Sequence, residues 1–176
     1  PADRLDLGPL EALVRHGDVE VGRLGDDAGV GAPARDQRIG ADAGMFFVDD
    51  AGDDDREPTP EQLARMKELV RAAMRDGARG VGSSLIYAPA FYAKTPELVE
   101  LARAAGEFGG MYISHMRSEG ARLLEAIDEL IHIAREAKVP AEIYHFKAAG
   151  RDNWSKTDAA IARVEAARQQ GLRITA

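Results

Sequence analysis

The chain of 176 residues contains no cysteine, which excludes disulfide bonds and thiolate zinc sites built from its own residues. This composition fits a cytoplasmic protein, and we expect that location. No apolar run approaches the roughly 18 residues of a membrane-spanning helix, so we expect no membrane partner. Basic residues are outnumbered: 23 Lys and Arg face 30 Asp and Glu, for a net charge of −7. Nucleic acid is therefore not expected as a partner, because phosphate binding requires a basic surface.

The first part of the chain, residues 1–55, has no regular hydrophobic pattern. Residues 22–55 are dense in Gly, Asp and Ala and are interrupted only by the apolar letters MFFV at Met45–Val48. Such a segment buries too little apolar surface to offset its chain entropy, so we expect it to be loop-rich or disordered. The acidic run DDAGDDD lacks the spacing and final Glu of a calcium loop and is interpreted as a solvated loop.

Helical and strand patterns alternate from Thr59 to the end of the chain, and we expect residues 56–176 to form a domain of their own. Thr59, Pro60 and Gln62 match the capping-box start of a helix. The patterns predict helices that start near Pro60, Thr95, Ser118 and Ser155 and strands over 79–87, 111–115, 141–146 and 172–175.

A helix–strand unit that repeats at a spacing of about 30 residues is typical of βα units, so the strands are predicted to be parallel. The fold class is α/β. Two architectures suit the spacing: a doubly wound sheet, or part of a closed TIM-like (β/α)8 barrel, of which about four units would be present. The chain starts on Pro1 and ends on the apolar run GLRITA, which leads us to expect a piece of a larger domain.

Two of the predicted strands end on a histidine: MYISH ends on His115 and AEIYH on His145. The carboxyl ends of parallel strands carry the active site in α/β proteins, so the two imidazoles can reach one ion. Catalytic zinc takes three protein ligands and a water molecule, and a third ligand would have to come from elsewhere. The alternative interpretation is a structural histidine at each strand end, bonded to a loop and without a catalytic role.

Lys147 and Tyr87 lie close to these strand ends in the sequence. Lys147 follows His145 by two residues and shares its face if the strand persists, where an ammonium group would suit an anionic substrate. The alternative for Lys147 is a solvated loop residue. Tyr87 ends the predicted strand before the first histidine and can offer its phenol to a ligand, although aromatic residues are common in strands.

Other polar residues near these strands are interpreted as structural. Arg117 and Glu119 are assigned to the start of a helix, where the dipole favours the carboxylate. His132 lies in the middle of the same helix and is predicted to be a surface residue, and His16 lies in a segment too weakly patterned to assign. A phosphate site is a third interpretation, for which the stretch KAAGRDN offers one glycine and one arginine.

The stretches GSSLIYAPAFYAKTPELVELARAA, GGMYISHMRSEG, LLEAIDELIHIAREAKVPAEIYHFKAAG and WSKTDAAIARVEAARQQGLRITA together resemble the N-acyl-D-amino-acid deacylases of the amidohydrolase superfamily. The resemblance extends from about Arg56 to Ala176. It implies a zinc-dependent hydrolase on a distorted TIM-like barrel. Its substrate would be a small molecule, an N-acyl-D-amino acid, cleaved to a carboxylate and a free D-amino acid.

The resemblance also implies roles for single residues. The histidines of the ISHMR and YHxK motifs are metal ligands in that family, which corresponds to His115 and His145. The lysine of the second motif and the tyrosine of LIY hold the substrate's α-carboxylate, which corresponds to Lys147 and Tyr87. Such enzymes also need a His-x-His pair, a Cys or carboxylate ligand and a general acid–base Asp. The chain holds no His-x-His and no Cys, so we expect it alone to bind metal weakly and to catalyse nothing measurable.

Overall fold

The computed structural model describes residues 38–40, 45–47, 57–88 and 90–176. Within the first 55 residues, two short strands, β1 (Arg38–Gly40) and β2 (Met45–Phe47), pair antiparallel. The other predictions for that segment, including the acidic loop, fall outside the described residues. The division of the chain near residue 55 stays a prediction.

Helices and strands alternate after residue 57 in the predicted order. They are α1 (Pro60–Arg75), β3 (Gly80–Ser84), α2 (Thr95–Gly106), β4 (Met111–His115), α3 (Leu123–Ala137), β5 (Ala141–Ile143), α4 (Thr157–Gln169) and β6 (Ile174–Thr175). Short 3-10 helices over Ala90–Tyr92 and Arg151–Lys156 precede α2 and α4. Among the described residues, none of the helices is both long enough and apolar enough to cross a membrane.

The strands β3 to β6 form one parallel sheet in which they lie side by side in chain order. A doubly wound sheet reverses its strand order at a switch point, and the four described strands of this sheet show no reversal. Successive helices pack against one another, α1 on α2, α2 on α3 and α3 on α4, as expected for crossovers that follow one another in chain order. The prediction of a partial TIM-like barrel of four parallel βα units is confirmed.

The start of α1 follows the predicted capping box. The backbone N–H of Gln62 donates to Oγ1 of Thr59 at 3.2 Å, and the backbone N–H of Thr59 donates to Oε1 of Gln62 at 2.8 Å. These bonds satisfy donors that the first helical turn leaves unpaired. One apolar stripe of α1 is buried on the core side, formed by Met66, Val70 and Met74.

Two helices start at other residues than the pattern predicted. The N-cap of α2 is Lys94, so Thr95 lies inside the helix, and its hydroxyl donates to Glu129 at 2.8 Å. The helix predicted from Ser118 begins at Leu123. Ser118 Oγ instead accepts bonds from two backbone N–H groups of the loop, those of Gly120 and Arg122. The predicted helix start at Ser118 was wrong because a polar loop with its own hydrogen bonds precedes α3.

Two strands are shorter than predicted. β3 ends at Ser84, which pairs with His115, the last residue of β4, so beyond it no partner strand continues. β5 ends at Ile143, which pairs with Ser114. The predicted strands over 79–87 and 141–146 therefore lose their last residues to turns. β3 ends together with its neighbour β4, whereas β5 ends earlier because a turn with a positive φ at His145 follows it.

The helix-facing side of the sheet carries the core. Val81, Tyr112, Ile143 and Ile174 are buried there. The hydroxyl groups of Ser83 and Tyr112 hydrogen-bond at 2.6 Å, and burial raises the pKa of Tyr112 to about 12. The opposite face of the sheet is only partly covered in the described residues, and this is the side on which His115 lies.

The buried hydroxyl of Tyr112 tests the packing of this sheet. Tyr112→Phe should lower the free energy of unfolding by about 1 kcal/mol, because it removes a hydrogen bond in a dry core. Tyr92→Phe, on the more open 3-10 turn, serves as the control and should change stability by less. Urea unfolding of the full chain measures the free energy of unfolding of both variants. Equal losses in the two would contradict a stabilising hydrogen bond of the Tyr112 hydroxyl in the core.

Candidate metal site

His115 is the last residue of β4, and its side chain is 12% exposed. It lies on the face of the sheet that the helices leave open, at the carboxyl end of the strand. The aromatic ring of Tyr87, from the turn after β3, meets the imidazole edge-on with 5.2 Å between ring centroids. His115 is therefore held at the sheet edge where βα loops place functional groups.

His145 reaches the same place by a route that strand geometry does not predict. Ile143 pairs with Ser114, so in a continued β5 the residue beside His115 would be Tyr144. His145 would then point to the helix side, away from His115, because side chains alternate. Its backbone instead adopts a positive φ of 42°. This left-handed turn directs the ring toward His115. The prediction that a continuous strand carries His145 was therefore wrong.

The two imidazole rings meet at the sheet edge. Their centroids are 4.4 Å apart with an interplanar angle of 87°, and Nε2 of His145 lies 3.1 Å from Nδ1 of His115. A left-handed conformation is costly for a residue with a side chain and persists only where the surroundings impose it. Such a strained residue beside a second imidazole is typical of a functional site.

Glu119 completes the group and was missed in the sequence, where it was assigned to a helix start. It lies in the loop before α3, and it is only 8% exposed. Its Oε1 is 2.9 Å from Nδ1 of His145 and 3.4 Å from Nε2 of His115. The letters SEG do not indicate that Glu119 contacts the histidines, because the same pattern also suits the first turn of a helix.

Lys147 lies in the same cluster although the strand does not persist to it. Its ammonium is 2.6 Å from Oε1 of Glu119 and 2.7 Å from Nδ1 of His145. The chain thus brings His115, His145 and Lys147 together as the sequence led us to expect. Tyr87 borders the cluster through its ring, with 61% of its surface exposed.

Two other residues considered in the sequence lie outside the cluster. Arg117 donates to both carboxylate oxygens of Glu129 at 3.0 Å and to the backbone carbonyls of Phe91 and Ala93. Arg117 therefore connects the loop before α2 to the loop after β4 by hydrogen bonds. It does not begin a helix. His132 is exposed on α3, as predicted.

The charges around His115 favour a neutral ring. Burial lowers the pKa of His115, the carboxylate of Glu119 opposes this, and the neighbouring His145 and Lys147 lower it further. A neutral imidazole keeps a lone pair on one ring nitrogen, and only that form binds a metal ion.

The donor atoms fit a small cation. His115, Glu119 and His145 each offer one ligand atom, and these atoms lie within 4.8 Å of one another. Two nitrogens bound to a tetrahedral zinc ion at its usual bond length are about 3.3 Å apart, close to the 3.1 Å between the facing imidazole nitrogens. Among the described residues, the buried Nε2 of His115 has no hydrogen-bond partner. The site therefore contains a buried polar atom that a ligand could satisfy.

No family model matches the chain, but individual known proteins are similar to it. It is 38% identical over 112 residues to the D-aminoacylase of Alcaligenes xylosoxydans xylosoxydans, covering 64% of this chain and 23% of the relative. It superposes with a TM-score of 0.66 and 31% identity on the N-acyl-D-glutamate deacylase of Bordetella bronchiseptica, solved with zinc and a phosphonate mimic of the tetrahedral intermediate, covering 69% of this chain and 26% of that one.

A solved D-aminoacylase, described as defining a novel subset of amidohydrolases, superposes with a TM-score of 0.64 and 34% identity over 68% of this chain and 25% of that chain. The chain thus spans about a quarter of the length of these relatives. Sequence and structure agree on the same group of relatives: the chain is similar to D-aminoacylase and to N-acyl-D-glutamate deacylase.

Proposed function

We propose that this chain supplies part of the active site of a zinc-dependent hydrolase that cleaves N-acyl-D-amino acids to a carboxylate and a free D-amino acid. One observation carries the proposal: two imidazole nitrogens face each other at 3.1 Å, beside an ammonium group, at the carboxyl edge of a parallel sheet. The similarity to deacylases supports this substrate class.

His115 and His145 are the residues that would hold zinc in this proposal. When bound, zinc lowers the pKa of a water molecule toward about 7 and polarises the amide carbonyl. The chain prepares the two ligands in different ways. Burial lowers the pKa of His115, which favours its neutral ring, and the left-handed turn directs the ring of His145 toward it. Because both rings are already held in place, less conformational entropy is lost when the two histidines bind zinc.

Lys147 and Tyr87 would hold the substrate's α-carboxylate. The Lys147 side chain is 47% exposed and Tyr87 is 61% exposed, so both can meet a ligand from solvent. An ammonium and a phenol hydroxyl both donate hydrogen bonds to a carboxylate. Anchoring this end of the substrate would orient its amide over the histidines, which lowers the entropy cost of reaching the transition state.

The proposal assigns the general acid–base Asp and the remaining metal ligands to parts of the enzyme outside this chain, which spans about a quarter of its relatives. In that arrangement the chain provides two ligands and the carboxylate anchor. The competing function is a barrel segment whose histidines are structural, and a metal-binding experiment separates the two.

His145→Ala tests the ligand role. In the full chain we expect zinc affinity, measured by competition with a chromophoric chelator, to fall by at least about tenfold, because one of two imidazole ligands is lost. In the complete protein that carries this chain, deacylase activity should be nearly abolished. His132→Ala removes an exposed histidine of α3 and should change neither. Retained zinc affinity and activity in His145→Ala would establish the structural alternative.

Lys147→Ala tests the carboxylate role in the complete protein. We expect KM for an N-acyl-D-amino acid to rise by about 10- to 100-fold, because one hydrogen bond between charged groups is lost. A neutral N-acyl amine should be affected much less. Lys67→Ala removes a lysine that pairs with a glutamate on another helix and provides the control. Equal losses for the two substrates would remove Lys147 from substrate binding.

A further inference from the structure

The backbone of Tyr87 is held at two points. Its N–H donates to the carbonyl of Ser84, the last residue of β3, at 3.1 Å, and its carbonyl accepts from the N–H of Phe91 at 2.8 Å. Phe91 lies in the 3-10 turn Ala90–Tyr92, which precedes α2. The strand fixes one side of Tyr87, so the position of its ring beside His115 also depends on what fixes that turn.

Arg117 contacts this turn from the loop after β4. Its Nη1 donates to the carbonyl of Phe91 at 2.6 Å, and its Nη2 donates to the carbonyl of Ala93 at 2.8 Å. The guanidinium carbon also lies 6.0 Å from the centre of the Phe91 ring. A single side chain therefore holds the turn through two backbone carbonyls.

Glu129 of α3 fixes the guanidinium from the other side. Its two carboxylate oxygens accept from Nε and Nη2 of Arg117, both at 3.0 Å, and one of them also accepts from the hydroxyl of Thr95 at 2.8 Å. Such a two-point contact fixes the plane of the guanidinium as well as its distance. The side chain of Arg117 is 21% exposed, and its four hydrogen bonds are made to the protein. Most of its donors are therefore unavailable to a ligand.

We propose that Arg117, held by Glu129, is the positioning residue that sets the place of Tyr87 for the substrate's α-carboxylate. The inference rests on the proposed function, because it takes Tyr87 as a carboxylate anchor. Arg117 does not touch the substrate in this arrangement. It follows His115 by two residues, so it connects the position of the anchor to the strand end that carries the first histidine.

Arg117→Lys separates the charge of this side chain from its shape. An ammonium keeps a positive charge opposite Glu129, so the carboxylate stays paired, but one nitrogen lacks the planar fork that reaches both backbone carbonyls. Arg163→Lys is the matched control. Arg163 also binds a carboxylate of α3, that of Asp128 at 3.0 Å, in a more exposed pair.

Amide hydrogen exchange of the full chain tests the structural step without substrate. In Arg117→Lys, exchange of the Phe91 amide should become about tenfold faster, because the turn loses a hydrogen bond that holds it. The amide of Gly110, bonded to the carbonyl of Ala105 at 3.0 Å before the start of β4, should keep its rate, which separates local release from a general loss of stability. Arg163→Lys should change neither rate. An unchanged rate at Phe91 in Arg117→Lys would overturn the inference.

A double-mutant cycle in the complete protein tests whether Arg117 acts through Tyr87. Arg117→Lys should raise KM for an N-acyl-D-amino acid by about 3- to 10-fold, because the phenol hydroxyl is displaced from the carboxylate and part of that hydrogen bond is lost. In a Tyr87→Phe background the same change should alter KM by at most about twofold, because the hydroxyl that Arg117 positions is already absent. Equal rises in the two backgrounds would show a structural role alone and would overturn the inference.

The outcomes distinguish this inference from the proposed function. A raised KM in Tyr87→Phe with equal effects of Arg117→Lys in both backgrounds would overturn the inference alone. An unchanged KM in Tyr87→Phe would contradict the anchor role of Tyr87 in the proposed function, and the inference with it. If circular dichroism shows that Arg117→Lys does not fold, Arg117→Met combined with Glu129→Leu takes its place in both experiments. That double substitution removes the same donors and leaves no unpaired buried charge.

Discussion

The left-handed turn at His145 is the constraint on which the site depends. The register of β4 and β5 would point this side chain into the helix layer, and the positive φ of 42° reverses it. The strain is local and is offset by contacts the ring then makes with His115, Glu119 and Lys147. A parallel sheet brings strand ends together, but it does not by itself bring these two imidazoles face to face.

Loop-to-loop contacts stabilise that turn. The backbone N–H of Ala149, after β5, donates to the carbonyl of Glu119 at 2.7 Å, and Nζ of Lys156 donates to the carbonyl of Ala121 at 2.8 Å. The loops after β4 and β5 are therefore joined on both sides of the polar cluster. Because the carboxylate of Glu119 is buried beneath them, its charge is poorly screened and can hold an ammonium and two imidazoles in place.

Sequence patterns predicted the parts of this molecule that depend on local chemistry. The capping box at Thr59 and the strand that ends on His115 were right, as was the order of helices and strands. The predicted ends of β3 and β5 were wrong, because β3 ends with its partner strand and β5 ends at the turn of His145, and both depend on contacts with residues distant in the sequence. Glu119 was missed for a related reason: its burial results from a loop that folds back, and no local pattern encodes that contact.

X-ray absorption at the zinc edge of the zinc-loaded chain tests the central claim most directly, that the turn at His145 brings two imidazoles onto one ion. We predict the scattering of two imidazoles per zinc, with Zn–N distances of about 2.0–2.1 Å. The same spectrum of His115→Ala should show one imidazole. A spectrum of the unaltered chain with one imidazole or none would contradict the account.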